Sequence, residues 1–406
     1  MKKYWKSIAI TMIIVLGLGT FYLQVALASG GNPNFTIKTI EGDKAKAENL
    51  RIDGYYSTDT IDENITITQE GSKYMSDYSY WERLNGINHD PMYKRLTTEY
   101  RGFMRGKSPW MGSMYEDDSY LAYAAVEYDF RSFETGDFTF NLAVLDKKAD
   151  KENEFSYLME GANKVNHASI ESVEKVGDEL KVFATLFKRT GEEELHLYVF
   201  DLNSQELVDD QPLDQIDPSK QQEYETYIRL LHVTDPLAPK DYVVFRKEVL
   251  DHSTVEFSDK GDQIQQPEVI ESDLVVFNLE TEETENLDLP KRLEDKSQVD
   301  LFDGENLYFV ETDDTGMTIV KYNIDKQEII NELEVEMKDA ERLRNFSNMT
   351  IKGDKLYLLL NDPASDTTPK IYALNTETGE TVFEGEVTAE DLPEKYNLEI
   401  YEFIVQ

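Results

Sequence analysis

The chain of 406 residues contains no cysteine. Disulfides, thiolate metal sites and cysteine nucleophiles are thereby excluded, as is a lipoprotein anchor, which needs a cysteine at its cleavage site. Positive charge is also scarce: 41 Lys and Arg stand against 81 Asp and Glu, a formal net charge of −40. That balance argues against nucleic acid as a partner, and against anionic lipid except where a local patch reverses the sign. The five histidines, His89, His167, His196, His232 and His252, show neither HExxH nor HxH spacing. His196, inside an expected strand, reads as a surface or satisfied histidine. There is no G-x-S-x-G elbow, and the stretch Gly102 to Ser108 is one residue short of a phosphate-binding loop. Acidic pairs such as Glu116-Asp117-Asp118, Asp209-Asp210 and Asp313-Asp314 lack calcium-loop spacing and read as solvated turns. No catalytic, metal or cofactor residues are expected.

What is present points to an exported protein with a packed core. Apolar residues make up 40% of the chain and tyrosines number 24, enough to exclude wholesale disorder. Lys2, Lys3 and Lys6 precede an apolar run from Ile8 to Ala28, and Ala26-Leu27-Ala28 has the small-x-small form of a signal peptidase site. The run also matches the ~20 residues of a membrane-spanning helix, so residues 1–28 are expected as a signal peptide or an N-terminal anchor, with both readings open. Either way the lysines stay inside and the body is extracytoplasmic, secreted or membrane-anchored. Residues 29–34 read as a linker.

Beyond the linker, apolar and polar residues alternate with the period of half-buried strands at 35–40, 50–56 and 65–68. An insert at about 71–109 breaks that pattern. There Asp90-Pro91 has the form of a helix start, and Gly106 of its end. At 100° per residue Met92, Leu96, Tyr100 and Phe103 share one face, with Lys94, Arg101 and Arg105 nearly opposite. The insert is the only basic and aromatic island in the chain. Its candidate interaction surface comprises Trp81, Arg83, Lys94, Arg95, Arg101, Arg105, Lys107 and Trp110, in which the aromatics and arginines are the side chains that recur at interface hot spots.

From Trp110 onward strands come in pairs: 119–130 with 138–146, 179–184 with 195–202, 241–250 with 273–279, 306–311 with 317–324, and 352–360 with 370–374. Gly177-Asp178, Gly304-Glu305 and Gly353-Asp354 each precede an apolar strand. Phe200-Asp201-Leu202, Phe277-Asn278-Leu279, Tyr322-Asn323-Ile324 and Tyr372-Ala373-Leu374 each end one, at steps of 77, 45 and 50 residues. A period near 40–50 residues with about four strands per unit is the signature of propeller blades.

The stretch Ile371 to Glu380, with its strand, Asn375 turn, Thr378-Gly379 and outer strand, resembles the repeat of quinoprotein-type (PQQ-like) β-propellers in exported bacterial proteins. Phe383 stands where that family usually places tryptophan. The resemblance implies a fold only, because the quinoprotein cofactor constellation is not found. The fold class expected is all-β: a β-propeller over 35–406 with one helical insert, of six blades with seven the alternative. Five units fit between Trp110 and Val387. Three strands within 35–69 plus one at 398–405 would then form a sixth blade, closed by both ends of the chain. The function expected is a non-catalytic binding module, tethered at the cell surface, for an unknown protein or anionic ligand, with membrane contact through 8–28 if uncleaved. A propeller hydrolase or lyase acting on a carbohydrate or cell-wall polymer is the alternative.

Overall fold

A computed structural model describes residues 10–12, 16–17, 19–20, 32–79, 82, 91–128, 137–190, 193–213, 224–231, 233–251, 268–294, 301–313, 315–336, 346–361, 368–393 and 395–405. Most of the expected leader lies outside them. Among the described residues no helix is long and apolar enough to cross a membrane.

The fold is all-β with few helices. In chain order the elements are β1 (Phe35–Gly42), β2 (Leu50–Ser57), β3 (Asp62–Thr68), β4 (Ser72–Tyr74) and helix α1 (Pro91–Glu99). There follow β5 (Met114–Glu116), β6 (Tyr120–Tyr128), β7 (Phe138–Asp146) and β8 (Lys151–Leu158), then β9 (Val165–Val176), β10 (Glu179–Lys188), β11 (Glu193–Asp201) and β12 (Glu206–Pro212). Next come β13 (Tyr224–Leu230), β14 (Tyr242–Asp251), β15 (Glu268–Asn278), β16 (Thr284–Asn286) and a short α2 (Lys291–Glu294). After these run β17 (Leu301–Phe302), β18 (Asn306–Thr312), β19 (Gly316–Asn323) and β20 (Glu328–Glu336). The chain ends with β21 (Phe346–Lys352), β22 (Lys355–Leu360), β23 (Lys370–Asn375), β24 (Thr381–Ala389) and β25 (Asn397–Val405). Sequential strands hydrogen-bond to each other as meanders in separate antiparallel sheets, β5 to β8, β9 to β12, β13 to β16, β17 to β20 and β21 to β24. This is a propeller-like arrangement.

The chain ends behave differently from the expectation in one respect. The last strand does pair beside an N-terminal one, with Leu50 opposite Val405 and Ser57 opposite Asn397, in a sheet ordered β25-β2-β3-β4. The first strand, however, is not in that sheet. β1 pairs with β24 as a fifth strand, Phe35 opposite Ala389, and its place is taken by the short β4. Phe35 and Ile37 bury one face of β1 in the cluster that Phe383 and Val387 of β24 also enter, while β3 already has β4 on its free edge.

By chain contacts the molecule divides into two units, residues 1–87, 311–318 and 333–406 in one, and 88–310 with 319–332 in the other. In the second unit the sheets are stacked through apolar faces in chain order. Val182, Ala184 and Leu186 of β10 share a cluster with Phe140 and Leu142 of β7. From the other face of the same strand, Phe183 joins Phe245 and Phe277 of β14 and β15. Val244 and Val276 in turn join Phe309 of β18 and Tyr322 of β19. Middle strands are thus buried on both faces, which is why their sequences read as near-continuous apolar runs and not as strict alternation. In the first unit the β21–β24 sheet and the β25-β2-β3-β4 sheet share one cluster, including Tyr56, Ile67, Leu359, Ile371 and Phe383.

A single turn recurs between the third and fourth strands of five sheets. Side-chain oxygens of Asp146, Asp201, Asn278 and Asn375 each accept the backbone N–H groups two and three residues on, at 2.6–3.2 Å. That of Asn323 accepts Lys326 N–H at 2.9 Å. Four residues after each of these stands a left-handed residue: Asp150, Gln205, Glu282, Gln327 and Gly379, with φ of 50° to 72°. In the last copy the closing oxygen belongs to Asn375, the turn residue expected, two positions beyond the Ala373 that matches Asp201, Asn278 and Asn323 in the strand-ending triplets. Only the last copy has glycine at the left-handed position.

Two outcomes check this description. Gly54 sits at a bulge in the β2–β25 pairing, where an added Cβ would lie 2.6 Å from the Glu399 carbonyl oxygen. Gly54→Val is expected to lower stability by about 1–3 kcal/mol in denaturant melts; an unchanged midpoint would contradict the pairing. Removing the turn oxygen with Asn375→Ala should cost about 1 kcal/mol, whereas Asn375→Asp should retain most of the stability in the same melt.

Candidate functional site

Helix α1 is built as its periodicity dictates. Leu96, Phe103 and Met104 are buried, with Met92, Tyr93 and Tyr100 packed beside them, in a cluster that includes Leu121, Tyr123 and Leu145 of β6 and β7. The regular helix ends at Glu99, earlier than expected. Thr97 and Thr98 both donate their hydroxyls to the Lys94 carbonyl, at 3.0 and 2.7 Å, which weakens a helix from within. Helical hydrogen bonding nevertheless continues, Tyr100 N–H to Leu96 O and Met104 N–H to Tyr100 O, before Gly106 turns the chain at a φ of 82°. Asp90, the expected cap, and Trp81 and Arg83, two candidates of the expected surface, lie outside the described residues.

The remaining candidates divide into two groups. Arg95 and Lys147 both hold Glu116. Burial opposes ionisation of Glu116, yet hydrogen bonds and charge from those two cations keep its carboxyl below the usual range. Lys107 turns inward: its Nζ donates to Phe103 O, pairs with Glu152 and Glu154 of β8 at 3.2 and 3.4 Å, and lies over the Phe103 ring. These two cations fasten the insert to the sheet below it. Lys94, Arg101 and Arg105 are exposed and make no ion pair among the described residues. Trp110 is 53% exposed although its indole N–H donates to Ile170 O at 2.9 Å. Its ring passes so close to Gly112 that an added Cβ there would meet the indole nitrogen at 2.6 Å. The exposed indole is therefore held in one orientation.

The acidic pairs have structural partners. Asp117 accepts the N–H groups of Ser119 and Tyr120, both at 2.6 Å, and closes the β5–β6 turn. Glu116 is not the solvated turn residue expected but a half-buried anchor for the insert. Asp210 and Glu194 flank His196 on its two ring nitrogens, and the imidazole stacks on Tyr198 at 4.8 Å. His196 is thus satisfied, as expected. Among the described residues no group of three or more His, Asp or Glu is arranged to hold a metal ion.

Buried charge had escaped the sequence reading. Lys181, alone among apolar neighbours in β10, pairs with Glu282 from the β15–β16 turn and with Glu179. Directly opposite it on β9, Glu174 is only 1% exposed and pairs with Lys240, while Ser172 donates to the same carboxylate at 2.6 Å. Burial pushes the Glu174 carboxyl up, against the attraction of Lys240. A charged residue inside an otherwise apolar strand was the available signal.

Lys240 ends a segment that crosses several first strands of the second unit. Val233 bridges Phe302 of β17, Thr234 N–H donates to Phe302 O, Glu116 N–H of β5 donates to Leu237 O, and Lys240 reaches Glu174 of β9. Leu237 is buried. The protein's own chain thus occupies the position beside these strands. The buried carboxylates Asp53, Glu174 and Glu384 pair with Arg51, Lys240 and Lys370 respectively.

The His196 arrangement has a measurable consequence. Burial disfavours its charge, but hydrogen bonds and attraction from Glu194 and Asp210 prevail and raise its pKa. A raised histidine pKa stabilises fully below the unfolded value of about 6.5 and is lost as pH rises through the folded value. Melting curves of the parent should therefore show greater stability at pH 6 than at pH 8.5, by an increment that His196→Gln removes.

No protein-family model and no curated protein matches the chain. Solved structures do show likeness. A variant of apocarotenoid oxygenase from Synechocystis aligns at 8% identity and a TM-score of 0.35, over 70% of this chain and 61% of that one, so the chain spans about three fifths of its length. The β-propeller domain of the Trilobed protease from Pyrococcus furiosus aligns at 10% identity and a TM-score of 0.27, over 89% of this chain and 97% of that one. Acylaminoacyl peptidase from Pyrococcus horikoshii aligns at 12% identity and a TM-score of 0.29, over 69% and 45%. Likeness at these levels assigns neither family nor activity.

Proposed function

We propose that the chain is an exported, membrane-tethered six-bladed β-propeller that acts as a non-catalytic binding module, with the basic insert as its docking surface. The observation that carries this reading is the division of the insert's cations. Arg95 and Lys107 are consumed in holding the insert, whereas Lys94, Arg101 and Arg105 remain exposed without ion pairs among the described residues of a chain of net charge −40. The exposed Arg101 and Arg105, together with the fixed exposed indole of Trp110, supply the arginine and aromatic groups on which interfaces concentrate their energy.

Blade count and closure belong to the same proposal. Five meanders plus the sheet joining β25 to β2 support six blades, the last assembled from both ends of the chain. The five-fold turn, with oxygen at one position and a left-handed residue four later, supports the resemblance to quinoprotein-type repeats at the level of strand connection alone. Pairing of the buried carboxylates with cations, and the segment 233–240 across the first strands, favour binding over hydrolysis.

The test is cross-linking in the native host. A variant carrying Lys94→Glu, Arg101→Glu and Arg105→Glu should melt within a few degrees of the parent yet lose its specific cross-linked species. A control carrying Lys151→Glu, Lys164→Glu and Lys291→Glu makes the same change in net charge and should retain them. Retention by the first variant would refute the docking surface.

A further inference from the structure

We infer that His196 is the latch of an edge strand: as an imidazolium it ties β12 to β11, and on losing its ring proton it releases the second half of β12. Both ring nitrogens face carboxylate oxygens, Nδ1 that of Glu194 at 3.0 Å and Nε2 that of Asp210. A carboxylate only accepts, and a neutral imidazole carries a single N–H. The two contacts therefore coexist only while both nitrogens are protonated.

Which contact yields is decided by what else holds each carboxylate. Glu194 lies two residues from His196 on the same strand and also pairs with Lys188 of β10. Burial opposes its ionisation, yet hydrogen bonds from His196 and Lys188 keep its carboxyl below the usual range. Asp210 lies on β12, the outermost strand of its sheet, and pairs with no other cation among the described residues. The strand is lightly held there. Its first half is fixed by Leu207, packed on the core, and by the Asp201 turn. Beyond the bulge Asp209 and Asp210 are exposed, and Pro212, directly opposite His196, has no N–H to give the ladder. Main-chain hold returns with Leu213 N–H, which donates to Leu195 O at 2.9 Å.

The other groups around the ring leave the switch to His196. Tyr198, on which the imidazole stacks, and Tyr157 of β8, near Asp210, are pushed up by burial and stay neutral. Asp209 accepts from Gln211 of its own strand at 3.0 Å. His167 of β9 shares a row with Phe187 and Glu193, on the face opposite to that of Glu194 and His196. Burial disfavours charge on His196, but hydrogen bonds and attraction from Glu194 and Asp210 hold its proton more tightly than usual. A proton bound more tightly in the paired strand favours pairing at low pH, and pairing weakens as pH rises through the raised value. Release bares the outer hydrogen-bonding edge of β11.

Hydrogen exchange on the purified chain tests the latch, with NMR of labelled histidine rings to read protonation. At pH 6 the ring identified by its loss in His196→Gln should carry protons on both nitrogens. Amides from Asp209 to Leu213, corrected for intrinsic rate, should exchange faster at pH 8.5 than at pH 6. The ratio should be about tenfold for each pH unit by which pairing raises His196. Amides of β10 should not change. In His196→Gln the pH dependence should vanish, and in Asp210→Asn the His196 ring should titrate at lower pH. A neutral His196 ring at pH 6 would overturn the inference, as would equal protection of 209–213 at the two pH values. So would a parallel loss of protection in β10, a dependence that survives in His196→Gln, or an unchanged ring titration in Asp210→Asn.

Discussion

Burial of both faces of the middle strands is the constraint on which the rest depends. A strand such as β10 sends Val182 and Ala184 to one side and Phe183 to the other, and each side requires another sheet against it. Each large apolar side chain so buried contributes about 1.5–3 kcal/mol. No single sheet can satisfy that demand, so sheets stack in chain order through shared clusters. Polar groups caught in these faces must be paired. Glu174 with Lys240, and Lys181 with Glu282, are the result, and removing one partner of such a pair would leave the other charged and buried.

Stacked sheets leave their outer strands and turns to solvent, and here the chain becomes polar and repetitive. The recurring turn holds strand four against strand three with a side-chain oxygen and a left-handed residue, a conformation that non-glycine residues adopt at some cost. That four of five copies tolerate it, at Asp150, Gln205, Glu282 and Gln327, shows how firmly the flanking strands determine the turn. Glu282 has a second use, since its carboxylate reaches the buried Lys181. The insert follows the same logic at larger scale. Its apolar face extends the cluster over β6 and β7, two of its cations are consumed by sheet carboxylates, and what is left over faces outward.

Much of the strand order was legible in the sequence. Gly177-Asp178, Gly304-Glu305 and Gly353-Asp354 were recognisable hairpin turns, and each glycine does take a positive φ. The apolar face of the insert was equally readable, because burial of Leu96 and Phe103 needs only a helical period and an adjacent core. Misreadings arose where a partner distant in sequence decided the outcome. β1 has the same alternation as β2 and β3, so nothing local says that it joins β24. Arg95 and Lys107 look as free as Arg101 until Glu116, Glu152 and Glu154 are brought beside them.

By itself the sequence determined the all-β class, the strand periods, the turn chemistry and the excess of negative charge. These follow from side-chain volume, backbone freedom and ionisation, which act within a few residues. Tertiary structure alone decided that the first strand lies beside β24, that Lys181 and Glu174 share a buried face, and which cations remain exposed. Those outcomes depend on contacts between residues tens or hundreds of positions apart. No local pattern encodes them, because a charge or a strand edge has no fixed partner until the sheets have packed.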